Sequence, residues 1–79
     1  MGTNLYWARV TTRPRKTLST GLKWVIEKKF GRNTVLGESH IVWLEGVADA
    51  TSDNETRESC ETLIEVIRED GAVEVWIEE

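Results

Sequence analysis

The segment T34-V-L-G-E-S-H-I-V-W-L-E-G-V47 decides how this chain folds. It gathers β-branched and aromatic residues around Gly37, and segments of helical spacing lie on either side of it. Two strands joined near Gly37 fit it best: a short one around Thr34–Leu36 and a longer one around His40–Val47. A single strand preceded by irregular chain is the competing reading. In the longer strand a period of two sends Val42 and Leu44 inward and leaves Ile41, Trp43 and Glu45 facing out.

Working outward from there, Leu18, Leu22, Val25, Ile26 and Phe30 fall on one arc at 100° per residue, which predicts a helix ending at Phe30. The helical spacing begins about Thr17, and Gly21 weakens that first turn, which offers Thr20 as the alternative start. Gly31 is a natural stop, with Lys28 and Lys29 suited to the negative end of the helix dipole. Before this helix, Leu5–Thr11 reads as a strand, broken by R13-P-R-K16 because proline cannot continue a paired strand. On the other side, S52-D-N-E55 has capping-box spacing and opens a second helix. That helix carries Cys60, Leu63, Ile64, Val66 and Ile67 on one side, and Gly71 closes it. The closing stretch V73-E-V-W-I-E-E79 alternates like a strand with one buried face. The expected order is β-α-β-β-α-β, a ferredoxin-like α+β fold. Right-handed crossovers put both helices on one face of a single antiparallel sheet, with strands in the spatial order 4-1-3-2.

Seventy-nine residues, 39% hydrophobic and 30% charged, make one globular domain. No apolar run approaches a membrane span. The beginning of the chain lacks the basic-then-apolar order of a secretory signal, and Tyr6 interrupts a myristoylation pattern. A lone cysteine, Cys60, allows no internal disulfide, so a reducing cytoplasm is the expected setting. The charge is divided: residues 1–37 hold eight basic side chains against Glu27, and residues 38–79 hold Arg57 and Arg68 against thirteen acids. Such asymmetry marks either a surface for a charged partner or two halves that neutralise each other.

In the expected fold Trp76, Trp7 and Trp43 lie on three adjacent strands of the uncovered sheet face, with Leu5, Ile41 and Arg9 beside them. Strands are ~4.8 Å apart, so the indoles would form a cross-strand row. An apolar patch of that kind suits a protein partner or a homodimer. Two plainer readings compete: the row stiffens a small sheet, or a one-residue shift of the first strand sends Trp7 into the core. A nucleic-acid partner is less favoured. Trp7, Trp43 and Arg9 resemble a base-stacking platform, but Glu45, Glu74 and Glu78 share that face and repel phosphate.

Three further features are candidates. Arg13, Arg15 and Lys16, entering the first helix, form either an anion or nucleic-acid patch or a solvated basic turn. Glu58, Glu61, Glu65 and Glu69 make an acidic stripe along the second helix, suited to a basic partner or to pairing with the first helix. Trp24 lies outside the first helix's apolar arc, so it leans on a neighbouring loop or marks a second contact point. One histidine and one cysteine on separate elements give no nucleophile–base pair, and no metal motif or phosphate loop occurs. The sequence thus points to a non-enzymatic binding module without cofactor or metal, of a size that suits an accessory or inhibitory factor of the kind phages encode. A nucleic-acid binder using the basic half and a small-ligand regulatory domain are the alternatives.

Overall fold

The computed structural model describes residues 4–9 and 16–78, with side chains described for 18–77. Within 18–77 the order is α-β-α-α-β. The elements are helix α1 (Thr20–Phe30), strand β3 (Asn33–Gly37), a 3-10 turn (Glu38–His40), helices α2 (Ile41–Ala50) and α3 (Asn54–Asp70), and strand β4 (Ala72–Glu78). β3 and β4 pair antiparallel, with Leu36 opposite Val73 and Thr34 opposite Val75. Two backbone segments earlier in the chain, β1 (Asn4–Arg9) and β2 (Lys16–Thr17), continue the sheet in the order β2-β1-β4-β3.

This is not a ferredoxin-like βαββαβ fold. The correction falls on the segment around His40–Val47, expected to be a strand and in fact the start of α2. Burial distinguishes the two arrangements. A strand would bury Val42 together with Leu44, but Val42 is 77% exposed and Leu44 is 0% exposed. The residues of α2 that pack toward the interior are Ile41, Trp43, Leu44, Val47 and Ala48, which fall on one side of a helix. A short run rich in β-branched and aromatic residues fits either period, and here the surface it can bury decides. Leu44 and Ala48 join the core that α3 also enters, which a strand of the same residues would not reach.

The entry to α2 is built locally. The Gly37 N–H donates to His40 Nδ1 at 3.0 Å, which turns the chain out of β3 and into the helix. The strand expected around Thr34–Leu36 is present as β3, and the closing strand is present as β4. β4 nevertheless lies between β1 and β3, not at an edge as the expected 4-1-3-2 order required.

All three helices contribute to one core on a single face of the sheet. Leu22 and Ile26 of α1, Leu44 of α2, and Cys60, Leu63 and Ile67 of α3 pack with Leu36, Val73, Val75 and Ile77 of the strands. Each such aliphatic side chain taken fully out of water contributes ~1.5–3 kcal/mol. α3 supplies the most extensive apolar stripe; it stops at Gly71 as expected and takes its cap one residue beyond the Ser52 of the capping-box spacing. Asp53 is the N-cap, its carboxylate accepting from the Thr56 N–H at 3.2 Å. Gly71, with φ 86°, takes the left-handed conformation that lets α3 pass straight into β4.

α1 begins at Thr20, the alternative start, with Ser19 as its cap. Ser19 Oγ accepts from the Leu22 N–H at 3.2 Å and lies 3.0 Å from Thr56 Oγ1. Thr56 Oγ1 in turn donates to Asp53 Oδ2 at 2.6 Å, and the Ser19 N–H donates to Ser59 Oγ at 3.2 Å. The caps of α1 and α3 are therefore one hydrogen-bonded unit, which satisfies buried polar groups at the point where the two helices meet.

Candidate functional site

The indole row expected on the sheet does not form. Trp43 and Ile41 belong to α2, so neither lies on the sheet face. Along β4, Val73, Val75 and Ile77 are buried, and Trp76 between them is half-buried on the opposite face. Its cross-strand neighbours are Tyr6 of β1 and Asn33 of β3, whereas Trp7 is paired with Val75. Leu5 pairs with Ile77 and Arg9 with Val73 in the same register. For these β1 residues the structure describes backbone pairing alone. Arg13 and Arg15 lie outside the described residues, and Lys16 is described only as backbone of β2.

The acidic stripe is where the sequence placed it. Glu58, Glu61, Glu65 and Glu69 are all exposed on α3. Arg32 Nε pairs with Glu27 Oε2 at 3.3 Å within the basic half, and Arg68 Nη2 pairs with Glu45 Oε2 at 3.6 Å within the acidic one. Arg68 and Glu45 join α3 to α2, and with Asp49, Glu61 and Glu65 they surround a groove of about 320 Å³ floored by Ala48 and Ile64.

A second groove, of about 460 Å³, lies between α1 and α2 and is lined by Trp24, Val25, Lys28, Lys29 and Trp43. Its α1 wall follows from helix geometry. With Leu22 and Ile26 turned inward, Trp24 and Lys28 form one i, i+4 row and Val25 and Lys29 the next. Trp24 is 62% exposed, and no loop among the described residues covers it. Lys23 is only 6% exposed, and its Nζ sits 4.3 Å from the centre of the Trp24 ring. That cation–π contact fixes the indole's orientation.

The α2 wall is held by a chain of rings. Trp43 meets Phe30 edge to face, with centroids 5.0 Å apart and planes at 84°. Phe30 meets His40 in the same manner at 5.3 Å and 81°, and His40 is fixed by its bond from Gly37. Edge-to-face pairs of this kind add ~0.5–1.5 kcal/mol each beyond the area they bury. Lys29 Nζ stands 5.7 Å from the Phe30 centroid and 5.9 Å from that of Trp43. The outcome is an apolar floor with ammonium groups along its rim.

This site was half legible in the sequence. Trp24 stood out as the aromatic outside the apolar arc, and its i, i+4 relation to Lys28 was available. Trp43 had been assigned to a strand, so the α1–α2 pairing that makes the groove was missed.

The reactive side chains lie elsewhere. Cys60 is fully buried, and burial, with a smaller contribution from Glu61, pushes its thiol up to about 11. His40 spends Nδ1 on a backbone bond. Among the described residues no group of His, Cys, Asp and Glu is arranged to hold a metal ion, and no helix is long and apolar enough to cross a membrane. Comparison with family models, with curated proteins and with solved structures finds no match for the chain.

Proposed function

We propose that the protein is a non-enzymatic binding module that docks another protein on the α1–α2 groove. The observation that carries this reading is Trp24, 62% exposed at the mouth of a groove whose other wall is Trp43. A tryptophan left in water forgoes a burial term that a partner's surface can recover, and tryptophan is enriched among the side chains that dominate binding energy. The surrounding rings keep Trp43 in place, so little ordering is needed on docking. The lone buried thiol suits a reducing compartment such as the cytoplasm.

A photo-crosslinking residue at position 24, in cells that produce the protein, tests the docking surface. The expected result is a discrete protein adduct that is absent when the same residue replaces Glu74 on the sheet. Equal labelling from the two positions, or none from position 24, would overturn the reading. As a check on folding, Trp24→Ser should leave the circular dichroism and urea midpoint close to wild type, because a largely exposed side chain contributes little to the core.

A further inference from the structure

Helix α2 separates two grooves of opposite character. On its α1 side Trp24, Val25 and Trp43 are accompanied by Lys28 and Lys29 and, among the described residues, by no carboxylate. On its α3 side Glu45, Asp49, Glu61 and Glu65 surround Arg68. We infer that the α1–α2 groove takes an acidic segment of another protein, one that carries an aromatic or branched aliphatic side chain among its carboxylates. This rests on the docking reading above and names the partner's chemistry. The apolar side chain fills the space between Trp24 and Trp43, and the neighbouring carboxylates meet Lys28 and Lys29. Charge-assisted contacts around an apolar anchor supply both affinity and register.

Other occupants fit the groove less well. A two-fold pairing of copies through this face would set Lys28 and Lys29 against their own equivalents, and like charges in apposition oppose association. A head-to-tail contact would offer it the outer face of α3. The exposed residues there are Asn54, Glu55, Glu58, Glu61, Glu65, Arg68 and Glu69, none of which supplies an apolar anchor. A nucleic-acid strand needs open aromatic faces on which successive bases stack. Here Lys23 Nζ already stands over the Trp24 ring, and Trp43 is half-buried and packed edge to face with Phe30. Phosphates leaving the groove would also pass the carboxylates beyond α2.

The test is selection of a random dodecapeptide display library on the immobilised full chain, with counter-selection on the Trp24→Ala chain. The expected result is enrichment of sequences that place Asp or Glu next to Leu, Phe or Trp. A synthetic peptide of that sequence should quench indole fluorescence on binding and lose affinity as salt is raised. It should also bind about tenfold or more weakly to the Lys28→Glu/Lys29→Glu double variant. A peptide with its acids exchanged for lysine should recover binding to that variant. Enriched peptides that depend on Trp24 but are neutral or basic would overturn the acidic partner while leaving the docking surface intact. The absence of any Trp24-dependent peptide would overturn the inference, and the crosslinking experiment would then decide the docking reading on its own. Two further arms name the rivals. Binding of (dT)20 that is lost in the double variant would overturn the inference in favour of nucleic acid. A light-scattering mass of twice 9.0 kDa, abolished by the same double variant, would overturn it in favour of a second copy.

Discussion

Gly21 occupies the second position of α1, where glycine ordinarily costs a helix ~0.5–1 kcal/mol relative to alanine. The reason for it is its neighbour. A Cβ built at Gly21 would come within 2.5 Å of Thr56 Oγ1, which is held in place by Ser19 and Asp53. Gly21→Ala should therefore destabilise the protein by about 1–2 kcal/mol in urea unfolding, the overpacking outweighing the gain in propensity. In a Thr56→Ala background the same change should become neutral or stabilising, a coupling that only direct contact produces. Cys60 gives a second test at this scale. The thiol should react with a disulfide reagent at pH 8 far more slowly in the native protein than in urea. Its folded pKa lies above the unfolded value of ~8.5, so its contribution to stability is intact below that value. That contribution is lost as pH rises toward about 11, where the folded thiol also ionises. Urea midpoints measured from pH 7 to 10.5 should fall in that window, and the Cys60→Ala variant should fall less.

At the scale of elements, α2 carries the lesson. Leu44→Ala should cost about 2–5 kcal/mol and Val42→Ala less than about 0.5 kcal/mol, although the two residues lie two apart in a run that reads as a strand. Comparable losses at both positions would contradict the helix. The elements that advertise their ends were legible: α1 with its start between Thr17 and Thr20 and its stop at Gly31, α3 with its cap within one residue of Ser52 and its stop at Gly71, and β4 with its strict alternation. Caps and left-handed glycines are local chemistry, and local chemistry is written in the sequence. The Ile41–Ala50 segment has no side-chain cap on its first turn and is rich in β-branched and aromatic residues. Its helix is chosen by what Leu44 and Ala48 can bury, which is a property of the assembled core. The candidate site inherited that error. Trp43 was recognised as a contact residue but was given the wrong neighbours, and the exposed glutamates of α3, whose placement needed only helical spacing, were found.

Over the whole molecule the three helices are not fastened alike. α1 is tied to α3 at its first turn, where Ser19, Thr56 and Asp53 share hydrogen bonds and the Lys23 N–H donates to Ser19 O at 3.2 Å. At its far end Phe30 packs edge to face against Trp43 and His40, and the chain just beyond it is bonded to the sheet, the Ile77 N–H donating to Arg32 O at 2.8 Å. Hydrogen exchange should be slower at the amides of the buried Leu22 and Lys23 than at those of the exposed Lys28 and Lys29, a gradient readable residue by residue in native-state NMR. With both ends of α1 held and Leu22 and Ile26 buried between them, Trp24 and Trp43 keep their spacing, and the groove meets its partner already formed.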